Sequence, residues 1–160
     1  MVDYNELPSN ARVWVYQSDK AFSAMQTTAI NTQLTAFVNQ WQSHGKAVRA
    51  WGGVKYNRFV IFVVDEGYEA PSGCSIDSSV SVIKAIEQEF GVDMFNRMNF
   101  AYKVNDTTVQ SADRMDFAAL YEQKTISDTT IVFNNLVSTK ADLEQKWEVE
   151  LGASWHANMV

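Results

Sequence analysis

The single cysteine of the chain lies in Gly73-Cys74-Ser75-Ile76-Asp77, where an apolar helical period begins. A thiol at a helix start meets free backbone N–H groups and the positive end of the dipole. Both favour thiolate, the nucleophilic form. A nearby imidazole would hold or shuttle its proton, and His44 is one of two histidines in the chain. Asp65 or Glu66 could orient that imidazole. Cys74, His44 and Asp65 are therefore the candidate catalytic set. Asp77 in the first helical turn and the Asp65-Glu66 pair work against it, because nearby negative charge raises a thiol pKa. The plainer reading is that Cys74 packs as a small hydrophobe in a tight helix entry.

Ser72, Gly73 and Ser75 offer a second chemistry, since backbone N–H groups at a helix start can hold a small anion. No metal site is predicted: the histidines and the cysteine have neither H-x-x-x-H nor C-x-x-C spacing. No cofactor is predicted either. Gly45-Lys46 is followed by Ala47 and preceded at position 40 by Gln, so it is not a phosphate-binding P-loop, and no G-x-G-x-x-G occurs.

The elements that would position these residues follow from pattern. Arg12–Tyr16 reads as a strand. Ser18 or Asp19 could cap a helix running to about Ser43, with Phe22, Met25, Ala29, Ile30, Leu34, Phe37, Val38 and Trp41 on one face. Gly45 would stop it, and His44 in its last turn would suit the negative end of the dipole. Ala47–Tyr56 and Arg58–Asp65 then form two strands. A Gly52-Gly53 turn competes with one at Tyr56-Asn57, and the second, with the glycines as a bulge, balances the strands better. Phe59–Val64 does not alternate and reads as a central strand buried on both faces. After a Gly67–Gly73 loop, Ile76, Val80, Ile83, Ile86 and Phe90 mark a second helix ended by Gly91.

Met98–Val104 is the fourth strand, followed by an Asn105-Asp106 turn, a helix (about 113–122), a strand (129–133) and a helix (about 140–147) capped by Ser138 or Thr139. The fold class is thus α+β: a ferredoxin-like split β-α-β-β-α-β sheet with a C-terminal α-β-α extension. One domain spans 1–160, with a core of about 11–104 and an extension of 105–160. Trp155–Val160 reads as irregular, with His156 unplaced.

Following strand polarity through that topology gathers His44, Asp65, Glu66, Cys74, Ser75 and Asp77 at one end of the sheet. It also leaves one sheet face without helices. Either the extension covers that face or a partner does, which points to a homo-oligomer or a protein partner. Trp14, Trp41 and Trp51 read as core, whereas Trp147 and Trp155 in the terminal segment could serve an interface.

With 46% hydrophobic residues in 160, the chain is long and apolar enough for a sizeable core. No apolar run approaches the roughly 20 residues of a membrane span, and Met1–Glu6 lacks the features of a signal peptide. A net charge of −6 without any Lys/Arg cluster argues against nucleic acid and anionic membrane surfaces as partners. A lone thiol suits a reducing compartment, so a cytoplasmic location is expected.

Five stretches carry a resemblance: Tyr56–Gly67, Ser72–Asp77, Glu87–Asp93, Thr130–Val137 and Trp155-His156. Together they resemble a family of short uncharacterised bacterial proteins often labelled ABC transporter ATPases. The resemblance implies a bacterial cytoplasmic protein with no established activity and no catalytic residues to carry over. The label's chemistry does not follow, because the Walker A loop is missing and Val63-Val64-Asp65 alone is no Walker B. The leading expectation is a non-enzymatic binding or interaction module, and the alternative is a thiol-dependent enzyme or redox sensor built on Cys74 and His44.

Overall fold

A computed structural model describes residues 1–67 and 71–160, except for the side chain of Cys74. The expected Gly67–Gly73 loop therefore lies partly outside the described residues. Strand β1 (Arg12–Gln17) leads into helix α1 (Ala24–Gln40), a short hairpin of β2 (Gln42–Ser43) and β3 (Lys46–Ala47), then β4 (Ala50–Lys55) and β5 (Phe59–Val64). Helix α2 (Gly73–Phe90) follows, then β6 (Asn99–Lys103), β7 (Val109–Asp113), α3 (Arg114–Glu122), β8 (Ile131–Phe133), α4 (Lys140–Lys146) and β9 (Glu148–Glu150). The chain closes in 3-10 turns, the last at Trp155–Met159.

Two sheets form around β5 and β6. The first has the order β1-β5-β4, with β5 antiparallel to both neighbours, so β1 and β4 run parallel with β5 between them. Strands β1 and β4 are thus parallel as expected, but the four-stranded ferredoxin-like sheet does not form. The fourth strand departs from expectation: β6 pairs with β7 and β8 in a second sheet, ordered β7-β6-β8-β9, and does not lie beside β1. The extension is accordingly richer in strands than α-β-α.

The reason is burial. All six side chains of β5 are inaccessible to solvent, and successive ones point to opposite faces. Val60, Phe62 and Val64 pack with Ile30, Leu34 and Val38 of α1 and Ile83 and Ile86 of α2. Phe59, Ile61 and Val63 pack instead with Ala101, Val109, Phe133, Leu143 and Trp147. The second sheet thus covers the face that the helices leave open, and Phe100, Tyr102 and Val132 on its far side are covered by Phe117 of α3, Leu151 and the tail. The molecule is layered helix, sheet, sheet, helix. With both faces of the first sheet covered within the chain, the apolar-face reason for a partner falls away, and Trp147 is core.

Local chemistry explains the element ends. Helix α1 starts later than Ser18 or Asp19 because Ser23 and Gln26 form a reciprocal capping box; Met25, in its first turn, is exposed. It also ends earlier than Ser43. His44 and Gly45 both have positive φ, 52° and 78°, which makes them the tip of the β2–β3 hairpin. Tyr56 and Asn57, with φ of 52° and 51°, form the favoured β4–β5 turn, but the ladder through Gly52 and Gly53 is regular, without a bulge. Those glycines serve packing: a Cβ on Gly52 would lie 3.0 Å from the Phe62 ring, and one on Gly53 would lie 2.7 Å from the Trp51 ring. Gly91, at φ 65°, ends α2 as expected.

Arg58 clasps the two sheets together. Its buried guanidinium donates to Ser18 O (3.2 Å), Ser111 Oγ (2.9 Å) and Val109 O (3.3 Å), and burial pulls its pKa below the ordinary arginine value. Arg58→Ala is expected to cost about 2–4 kcal/mol in urea unfolding, because carbonyls of both halves lose a charged donor. A loss below about 0.5 kcal/mol would remove the clasp from the account.

Candidate functional site

At the end of the sheet expected to gather the thiol set, a hairpin stands where the end of the first helix was expected. The β2–β3 hairpin docks on the start of α2: Ser72 N–H donates to Ser43 Oγ (3.1 Å), the Ser75 hydroxyl to Gln42 O, and the Trp41 indole to Ser75 O (2.9 Å). Cys74 lies in the first turn of α2. His44, however, is no helix-end residue; it is exposed at the hairpin tip. Asp65 pairs with Arg49 at 3.6 Å and accepts from Gly67 N–H at 3.0 Å, while Glu66 reaches Arg12 at 4.0 Å. The carboxylates thus hold arginines.

At the expected anion site, the N–H groups of Ser72, Ser75 and Ile76 are engaged internally. Ser72 Oγ takes Ser75 N–H (3.1 Å), and Ser72 O takes Ile76 N–H (2.9 Å). Gly73 precedes Cys74 at the first position of α2. Among the described residues no group of three or more His, Cys, Asp or Glu could hold a metal ion, and no helix is long and apolar enough to cross a membrane.

A different candidate site lies along the β1 edge of the first sheet. A groove of about 420 Å³ runs along β1, lined also by residues of the 94–100 and 133–138 stretches and by Trp155 and His156. Its volume is that of a small-molecule or peptide site. Chain separation hides it from sequence reasoning, since its walls come from four stretches between positions 12 and 156. In the sequence, only the interface reading of Trp155 pointed toward it.

Amide side chains brace the groove. Gln17, at the end of β1, donates through Nε2 to Asn99 O (2.8 Å) and accepts from Asn135 Nδ2 (2.9 Å). Asn135 Oδ1 in turn takes the Trp147 indole N–H (2.9 Å), and the neighbouring Asn134 takes that of Trp155 (2.9 Å). The Gln17 and Asn135 amides are each held at both ends, so this part of the wall is preorganised. The aromatic lining consists of Trp14, Tyr16, Phe95, Phe100, Phe133 and Trp155. The charged lining is Arg12 and Arg97, with no carboxylate.

His156 resolves the unplaced tail. It folds back into the core at 1% exposure, stacks on Trp155 at 3.8 Å, meets Phe100 edge-on, and hydrogen-bonds Ser154 Oγ through Nδ1 at 2.7 Å. Burial disfavours imidazolium and pushes its pKa down to about 4.

No family model matches the chain, and no curated protein or solved structure shows significant similarity to it.

The histidine yields a pH dependence. Its folded pKa lies below the unfolded value of about 6.5, so the unfolded state takes up the proton first and stability falls as pH drops from 6.5 toward 4. Wild type is expected to lose about 1–2 kcal/mol more than His156→Gln across that window, measured by urea titrations at pH 7 and pH 4.5. Parallel losses in the two proteins would contradict a buried neutral imidazole.

Proposed function

We propose that this chain is a non-enzymatic binding module, cytoplasmic in location, whose ligand occupies the groove beside β1. The observation that carries the reading is the lining: two arginines and no carboxylate in a chain of net charge −6. Such a local inversion of charge favours an anionic ligand. The half-buried rings of Trp14, Tyr16 and Trp155 supply flat apolar area, and the braced amides of Gln17, Asn99 and Asn135 supply orientation. Nothing in this arrangement requires a nucleophile or a proton shuttle: His156 is neutral at physiological pH, and Arg12 and Arg97 are donors only.

Benzoate and benzylammonium make a matched pair of probes, alike in shape and opposite in charge. In amide and indole NMR spectra, benzoate at millimolar concentration is expected to shift Trp155, Val15 and Asn135. Benzylammonium should leave them in place, and Arg97→Glu should weaken benzoate binding at least threefold. Equal responses to the two probes, or shifts confined to other parts of the molecule, would remove the groove as an anion-binding site.

A further inference from the structure

The edge of β1 that faces the groove has backbone groups to spare. In an antiparallel ladder, alternate residues turn N–H and C=O to opposite sides. Ser18 N–H donates toward β5, to Arg58 O at 2.8 Å, whereas Val13 N–H donates to Ser138 O (2.9 Å) and Asp19 N–H to Asp93 O (3.0 Å), away from β5. The odd-numbered residues of β1 therefore face the groove. Between those two anchors, the carbonyl of Val13, both backbone groups of Val15 and the N–H of Gln17 have no backbone partner among the described residues. The stretch from Val13 to Gln17 spans roughly 13 Å, and the strand that would have paired there, β6, is committed to the other sheet.

We propose that the groove receives an extended, acidic peptide, which pairs with the free edge of β1 as an added strand. The inference rests on the binding reading and names the class of ligand. A row of unpaired N–H and C=O groups is a template for an incoming strand, with backbone bonds giving affinity and flanking pockets giving specificity. Charge selects the occupant: Arg12 and Arg97 line the groove without a carboxylate, and among the described residues the Arg12 side chain meets Glu66 at 4.0 Å and the Trp14 ring. Exposed Phe95 and Leu136 on the groove walls, with Met98 beside them at 44% exposure, suit the apolar residues of an alternating peptide. A second copy's β1 would bring Arg12 and no carboxylate, so self-pairing does not fit this charge pattern.

Selection from a random octapeptide display library against the whole protein supplies the test. Enriched sequences are expected to alternate apolar with Asp or Glu and to avoid proline. The best of them, synthesised with capped ends, should bind at least tenfold more weakly after N-methylation of alternate backbone amides. Binding should fall by a similar factor with Arg12→Glu/Arg97→Glu, two exposed positions where the fold is not at stake. Basic or proline-rich winners, tolerance of N-methylation at every position, or no enrichment would overturn the proposal. If benzoate binds in the groove while no peptide does, strand pairing fails and the anion-binding reading survives; if neither binds, both fail.

Discussion

Six consecutive apolar side chains, Phe59 to Val64, sit at 0% exposure in the middle strand of the first sheet. A strand with this composition needs apolar cover on two faces, and one layer of helices supplies only one. Burying three such side chains on the second face contributes several kcal/mol by the usual per-residue figures of about 1.5–3 kcal/mol. The C-terminal half responds to that demand. It brings Ala101, Val109, Phe133 and Trp147 against Phe59, Ile61 and Val63, and it does so as a sheet with its own second face to cover. Phe117, Leu151 and the aromatic tail complete that face.

The groove is a consequence of the same constraint. Strand β6 cannot both extend the first sheet beside β1 and form the centre of the second, and it does the latter. The edge of β1 is crossed near its two ends, by a short bridge to Ser138–Lys140 and by Asp93. Between them the edge opens into the groove, which Trp155 and His156 help to line, and the Gln17–Asn135–Asn99 amides fix the walls. Core packing and site geometry therefore share residues: Phe133 is a core residue against Phe59 and also lines the groove.

Much of the first half was legible from sequence, because its signals are local. The β4–β5 turn at Tyr56-Asn57, the two-sided burial of β5 and the Gly91 stop of α2 each follow from a few adjacent residues. Strand polarity placed His44 near the start of α2; Gln42 and Ser43 dock there, while His44 tips an unforeseen hairpin. The short strands were not legible. Gln42–Ser43, Val109–Asp113 and Glu148–Glu150 are polar or only two or three residues long, and they exist because a neighbouring strand templates them. The groove escaped for a related reason: it is defined by a pairing that does not occur, and an alternation of apolar residues in Arg12–Gln17 says nothing about which edge is filled.

The vacant edge of β1 can be measured directly by amide hydrogen exchange in the free protein. Inward-facing Trp14 and Tyr16 amides, bonded to β5, are expected to exchange at the slow rates of the core. The intervening Val15 amide, turned into the groove, should exchange at least a hundredfold faster than either. Uniform slow exchange along Trp14–Tyr16, persisting on dilution, would mean that a strand of the same chain fills the edge and would contradict the account.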